Sequence, residues 1–438
     1  MGPNEQIAIA LSVFIFTYVL IISERIHRTV AALFGASIVL FTRVVPWEKI
    51  AEYLDLDTLF LLIGMMMIVN TAKESGLFEF IAIKTAKLAR GGSPMKVLLL
   101  FSVVTALVSS VLDNVTTVLL LTPPMLIYIT NLMDVNPVPF LLAEVFSSNI
   151  GGTATLIGDP PNIMIGSAAG LSFNDFLLNM GGPIALVDLF VTLGGVIYLI
   201  YRGGAMRISP PSKREELRSV VQMLNEDDAI RDYPPLFRRS IIVILSVVAL
   251  FFVHDRLGIE PAVVALTGAS VLLLWSRMDP TEILEKVEWT AIFFFMGLFI
   301  VVGSLVETGV INDVAHWVLN YVHTTGEALV LITWFSAVSS AIVDNIPLTA
   351  AMIPPLIKSM GVSMDVYPLW WALSLGGACL GGNGTAIGAS ANVVVLGIAA
   401  RERINISFVD FLKVGLVVML STVGVGMLLI WVRYIGGV

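Results

Sequence analysis

Two Asp-Asn pairs, Asp113-Asn114 and Asp344-Asn345, interrupt long apolar runs, with Thr116 and Thr117 behind the first and Thr349 behind the second. A carboxylate in such a setting is costly unless it is protonated, paired or bound to a cation. Beside an amide and hydroxyls it offers hard oxygen ligands, which suit Na⁺ or a proton and not a soft metal. The plainer alternative is that each pair caps two half-helices at a hairpin tip. Two further polar stretches lie downstream, Ser147 to Asn162 and Gly381 to Asn392, each flanked by apolar sequence. Glycine and proline cannot hold a regular helix there, and the freed backbone groups need partners. In a bilayer such backbone is tolerated only where it is buried in protein or lines a wet cavity. A loop outside the membrane would not need apolar flanks on both sides.

The candidate ion- and solute-binding residues are therefore Asp113, Asn114, Thr116, Thr117, Asp344 and Asn345 at the tips. The first break adds Asn149, Gly151, Gly152, Thr153, Thr155, Asp159 and Asn162, and the second adds Gly381, Gly382, Asn383, Thr385 and Asn392. Asp159 has no acidic counterpart, because Ala389 stands in its place. That asymmetry makes it a candidate for carrying a coupling proton, with stabilising the break as the alternative. Asn162 and Asn392 do correspond and are expected to fix the broken backbone. Glu144 and Asp188 also fall within apolar segments and are read as packing or cavity-lining residues.

Composition sets the surroundings. Of 438 residues, 57% are hydrophobic and only 13% charged, with a mean hydropathy of +0.91. Apolar stretches long enough to span a bilayer recur from end to end, so the chain reads as an all-α polytopic membrane protein. A net charge of −8 without a basic patch gives no footprint for nucleic acid. The single cysteine, Cys379, excludes internal disulfides and multi-thiolate metal sites. His27, His254, His316 and His323 fall at or near segment ends, and neither HExxH nor a Walker A motif occurs. Nothing in the sequence calls for a cofactor, and the first apolar segment lacks the basic n-region of a cleavable signal.

The elements that must position the polar groups come in two copies. Residues 1–201 hold five spans, a hairpin over 97–129 and a broken helix over 140–169. A polar linker over 202–239 follows, too short and too polar to bury a core. Residues 240–438 repeat the pattern, with a hairpin over 329–357 and a broken helix over 367–400. Asp344-Asn345 follows Asp113-Asn114 by 231 positions, Pro354-Pro355 follows Pro123-Pro124 by 231, and Gly381-Gly382 follows Gly151-Gly152 by 230. Chance similarity of apolar helices would not keep polar landmarks in register. With both termini outside, 20 of the 25 lysines and arginines fall in cytoplasmic segments, as the positive-inside rule requires. Five crossings per copy invert the second relative to the first, so the hairpins enter from opposite faces and their tips meet near the midplane. That is an inverted-repeat transporter layout.

The tips, followed by Ser-Asn-Ile-Gly-Gly-Thr-Ala-Thr-Leu-Ile-Gly-Asp-Pro-Pro-Asn at 148–162, closely resemble the ion transporter superfamily. The pattern is similar to the branch of arsenite efflux permeases, NhaD-type sodium/proton antiporters and the melanosomal P protein. The resemblance implies an elevator-type homodimer of the plasma (inner) membrane, with a scaffold and a moving transport part. It also implies a proton-coupled antiporter, exporting arsenite or antimonite or else exchanging Na⁺ for H⁺. In the dicarboxylate branch the tips read Ser-Asn-Thr. Aspartate in place of that serine argues against a dicarboxylate, which the added charge would repel. Arsenite is largely a neutral trihydroxide near neutral pH, so hydroxyls and amides would bind it; one cysteine cannot form a three-thiolate site. Coupling to ATP would require a separate ATPase subunit. The rival class, an intramembrane aspartyl hydrolase, also needs two buried aspartates, but its Gly-x-Gly-Asp pattern is absent because residue 156 is Leu.

The topology has a direct test. Single cysteines at Ser212 and Asn320 should react with an impermeant thiol reagent from opposite sides of the membrane. Reaction of both from one side would end the inverted-repeat reading.

Overall fold

The computed structural model describes residues 2–23, 25–89, 94–121, 123–202, 219, 234–313, 322–359 and 366–436. Most of the 202–239 linker and His316 lie outside the described residues. Every regular element among those described is helical. Among the described residues, six helices have the length and apolarity to cross a membrane: Pro3–Ser23, Leu56–Glu74, Pro235–Leu257, Trp289–Glu307, Thr325–Ile342 and Phe408–Tyr434. Shorter apolar helices stand where sequence predicts other spans. Arg28–Phe41 and Pro261–Ser276 have 14 and 16 residues, about 21 and 24 Å of rise against a core of about 30 Å.

Capping chemistry explains several boundaries. Asp55 accepts from the Thr58 amide at 3.1 Å and starts Leu56–Glu74. Thr324 accepts from the Glu327 amide at 3.2 Å, and Ser407 from the Asp410 amide at 3.1 Å. Each such cap is worth about 1 kcal/mol. The first hairpin runs down Pro94–Ser109, turns at Asp113 and returns as Asn114–Leu121 and Pro123–Met133. The second descends through Thr325–Ile342 and returns through Asn345–Ser359. The two proline pairs behave differently. Pro123 opens a new helix, whereas Pro354 and Pro355 sit inside a continuous one.

The helices sort into two packing groups, each drawing on both halves of the chain. In the first, Pro3–Ser23, Arg28–Phe41, Leu56–Glu74, Pro234–Leu257, Pro261–Ser276 and Trp289–Glu307 pack chiefly on one another. Its two main crossings are very close. A Cβ added to Gly64 would lie 2.7 Å from the carbonyl carbon of Ala265, and one on Gly297 would lie 2.7 Å from that of Ala32. Small residues at such crossings let backbones approach and gain dispersion contacts that lipid cannot replace. Ala265 follows Ala32, and Gly297 follows Gly64, by the same 233 positions. The second group contains the hairpins, the broken helices, Gly181–Arg202 and Phe408–Tyr434. The groups meet where Leu56–Glu74 touches Pro160–Ala169 and Trp289–Glu307 touches Asn345–Ser359.

The glycine crossings predict a stability difference. Gly64→Ala or Gly297→Ala should each cost about 1–3 kcal/mol through overpacking. Gly424→Ala, whose Cβ would meet nothing within 4 Å, should be neutral or slightly stabilising. Thermal unfolding in detergent checks this, and equal melting points for all three would contradict the crossing argument.

Candidate functional site

The two breaks are built alike, and an asparagine holds each together. Val138–Thr153 ends at the first break and Pro160–Ala169 begins after it. Between them, Asn162 Nδ2 donates to Gly152 O at 2.9 Å and to Thr155 O at 3.2 Å. At the second break the approach is looser. Tyr367–Leu373 widens into a π-helical turn over Ser374–Leu380 and tightens to a 3₁₀ turn over Gly381–Gly384, before Ser390–Arg401 resumes. Asn392 Nδ2 donates to Gly382 O and Thr385 O, both at 2.8 Å. Thr155 and Thr385 give their hydroxyls to carbonyls of the neighbouring hairpins, Ser110 O and Ala341 O.

The glycines answer a steric demand. A Cβ on Gly151 would lie 2.2 Å from Ala106 O, and one on Gly381 would lie 2.8 Å from the Cα of Ala337. Gly152 faces Asn114 Oδ1 at 2.4 Å by the same construction, and Gly382 faces Gly388 O at 2.8 Å. The hairpin backbones therefore press directly on the breaks. Asn149 joins the two breaks, donating to Asn383 Oδ1 at 2.8 Å and Asn392 Oδ1 at 3.0 Å. Ser374 donates to Asn162 Oδ1 at 2.8 Å, tying the second broken helix to the first. Cys379 is buried, with its thiol 3.7 Å from the same oxygen.

Asp159 is the point on which both tips converge. Asn114 Nδ2 and Asn345 Nδ2, one from each hairpin, donate to its Oδ2, each at 3.2 Å. Asp159 occupies the N-cap position of Pro160–Ala169 in extended backbone, φ −148° and ψ 135°, yet its side chain makes no cap hydrogen bond. The reason is local chemistry. Pro160 and Pro161 have no N–H to offer, and the Asn162 amide donates to the Asp159 main-chain carbonyl at 2.9 Å, which leaves the carboxylate free to accept from the tips. Ala389 adopts the same backbone, φ −145° and ψ 144°, at the second break.

The aspartates of the tips have separate fates. Asp113 Oδ1 accepts from the Thr116 amide at 2.9 Å, as a cap would. Asp344 Oδ1 accepts from the Ile346 amide at 3.1 Å, while its Oδ2 pairs with Arg28 at 2.9 Å and accepts from Ser390 Oγ at 2.9 Å. Asn114 Oδ1 accepts from Ser109 Oγ at 2.8 Å. Thr153 bonds within its own helix, to Asn149 O, and Thr117 Oγ1 is buried without a hydrogen-bond partner. Thr349 likewise turns back to Asn345 O. Glu144 accepts from Thr105 of Pro94–Ser109 at 3.3 Å, and Asp188 is fully buried in Gly181–Arg202.

A cavity of about 70 Å³ lies at this meeting point, lined by Arg28, Asp113, Asn114, Asp159, Asn345 and Ser390 on its polar side. Met65, Met66, Leu62 and Phe295 line its apolar side, and Glu288 also borders it. Arg28, Ser390 and Glu288 are not among the residues that sequence singles out. Arg28 reads as part of a basic turn, and only its position at the first residue of an apolar helix hints otherwise.

A helical membrane protein with a small cavity between two hairpin tips has the layout of a secondary transporter. The family model described as CitMHS, citrate transporter, matches residues 18–376, and the chain belongs to that family of the ion transporter superfamily. An uncharacterized transporter of Mycobacterium bovis is 43% identical over 97% of this chain and 98% of its own. The mouse P protein is 33% identical over 99% of this chain and 61% of its own. Among solved structures, the YdaH transporter of Alcanivorax borkumensis is similar in fold, with a TM-score of 0.56 at 14% identity. That likeness covers 99% of this chain and 98% of the other.

Gly151→Ala or Gly381→Ala should insert into the membrane at normal levels but lose most transport, since the added Cβ forces a hairpin off its break. Unchanged transport by both variants would show that the close approach is dispensable.

Proposed function

We propose that the protein is a proton-coupled antiporter in which Asp159 carries the coupling proton between two hairpin tips. The carrying observation is the convergence of Asn114 and Asn345 on one carboxylate oxygen, at 3.2 Å each. As a carboxylate, Asp159 accepts hydrogen bonds from both tips or from the hydroxyls of a bound solute. Once protonated it loses acceptor capacity, so solute leaves as the proton arrives. Mutually exclusive occupancy of one group is what exchange requires, and protonation removes a charge that would be costly to carry across an apolar seam.

The solute favoured is small, neutral and hydroxylated, with arsenite or antimonite as the leading candidates. Cavity size supports this: about 70 Å³ is far below the roughly 300–1,000 Å³ of typical ligand pockets. Charge supports it as well. The arginine of the cavity is engaged by Asp344, leaving Asp113, Asp159 and Glu288 to repel a carboxylate solute. The same excess of carboxylate favours the second reading, Na⁺/H⁺ exchange of the NhaD type. There Na⁺ would replace the proton at Asp159, with Asp113 completing its charge.

Movement of the hairpin group past the flanking helix group supplies an elevator-type cycle. The inverted repeat draws support from contacts matched across the two halves. Asn162 and Asn392, and Thr155 and Thr385, make equivalent contacts 230 positions apart, and the two glycine crossings do so 233 positions apart. We take the assembly to be a homodimer of the plasma (inner) membrane with both termini outside, running on the proton gradient, with any coupling to ATP requiring a separate ATPase subunit.

Everted vesicles under an imposed pH gradient, offered arsenite, Na⁺ or Li⁺ in turn, test the reading. Asp159→Asn should abolish gradient-driven accumulation and flatten the pH profile, while leaving downhill exchange. Asn345→Ala should keep the wild-type pH profile and raise the half-saturation concentration about 10-fold, the loss of one hydrogen bond to a charged group. A normal pH profile and normal accumulation in Asp159→Asn would move coupling away from this residue.

A further inference from the structure

The tips are alike in sequence but not in how they are held. Asp344 is bound to a cation that the protein itself supplies. Arg28 Nη1 lies 2.9 Å from Asp344 Oδ2 and 3.0 Å from Ser390 Oγ, and Ser390 closes the triangle with its own bond to Asp344. The guanidinium also sits 5.3 Å from the ring centre of Phe294, on Trp289–Glu307. Arg28 therefore belongs to one packing group and grips the other. A second bond runs beside it, from Tyr18 Oη on Pro3–Ser23 to Pro347 O just past the tip, at 2.6 Å.

The first tip has no such grip. Among the described residues no basic group forms an ion pair with Asp113, which accepts from the Thr116 amide of its own turn. Its neighbour Leu112 instead packs in an apolar cluster with Val69, Ala72, Leu77 and Phe78. Sequence explains the difference. Pro261 lies 233 positions after Arg28, the offset of the flanking helices, and Pro160 lies 230 positions before Ser390, the offset of the breaks. Proline can supply neither the cation nor the hydroxyl.

We propose that Arg28 is a built-in counter-ion that latches the second hairpin tip to the flanking helices and must release it each time the tips move. The inference rests on the two-group cycle proposed above and names a contact that the cycle has to break. It also assigns the exogenous cation to one place. With Asp344 already neutralised, the coupling proton or Na⁺ has only the Asp113–Asp159 side of the cavity left to occupy. An apolar clasp can slide at little cost, whereas an ion pair at 33% and 16% side-chain exposure has to be exchanged for water or for another ion.

The test uses a reporter that needs no solute. Met66 lines the cavity, so Met66→Cys in a Cys379→Ser background, in full-length protein in vesicles, reports which side the cavity faces. An impermeant thiol reagent is added on the side opposite Arg28, where only the unlatched state reacts. Arg28→Gln and Asp344→Asn should each speed this labelling about fivefold, the weight of one partly exposed ion pair. The double variant should show no further increase, because both changes remove the same interaction. Arg28→Lys, which keeps the charge and loses the planar fork, should fall between wild type and Arg28→Gln and serves if the latter folds poorly. Labelling unchanged in the single variants, or additive in the double, would overturn the latch. A wild-type reporter that never reacts from the far side would instead overturn the two-group cycle itself.

Discussion

Backbone groups freed by a broken helix have no water to turn to inside a membrane, and most of this structure follows from finding them partners. Two asparagine side chains meet much of that demand, each satisfying two carbonyls of its own break. Two threonines fasten the breaks to the hairpins, and Asn149 fastens the breaks to each other. A hydrogen bond is worth only about 1 kcal/mol net, but leaving a buried carbonyl unpaired costs more than that. The network thus keeps the breaks broken. It also demands glycine where the hairpins press, because any side chain at Gly151 would collide with a neighbouring main chain.

Once the breaks are fixed, the position of one carboxylate is determined. The helix after Asp159 opens on two prolines and its third amide is taken by the Asp159 main-chain carbonyl, so the carboxylate oxygens face the tips. Both tip amides meet it, and the first and second halves of the chain become joined through a group able to gain or lose a proton. The tip aspartates are less equivalent than they look. One serves its own turn and the other is neutralised from a different helix group. The cavity is left with more carboxyl groups than basic groups in its lining.

The two helix groups differ in how they are bonded. Within the flanking group, glycine crossings bring backbones into direct contact, which favours a rigid unit. Polar ties fasten short segments to its ends, Lys49 and Tyr53 to Glu307 at one end and Lys286 to Glu74 at the other. Among the described residues, the directed polar contacts across the seam to the hairpin group include Arg28 with Asp344, Tyr18 with Pro347, Ser167 with Asp55, Phe173 with His254, and Asn174 with Phe252. Such a seam suits the two-group cycle proposed above.

Much of this was legible from the residues alone. Apolar run lengths gave the helical membrane class, and glycine and proline inside such runs marked the breaks, because both effects act along a local stretch of chain. The lone acidic residue at position 159, facing alanine at 389 in the other half, already stood out as an asymmetry. Periodicity could not show where each side chain ends up. Thr155 and Thr385 look like ligands in sequence but bond to hairpin carbonyls, since a hydroxyl next to a freed backbone is used there first. Arg28 looks like a residue of a basic turn, and its partner is 316 positions away. Local chemistry decided which stretches would break. Only the tertiary structure decided which carboxylate would be shared, which would be neutralised and which would stand alone, because those outcomes depend on contacts between segments that the sequence keeps far apart.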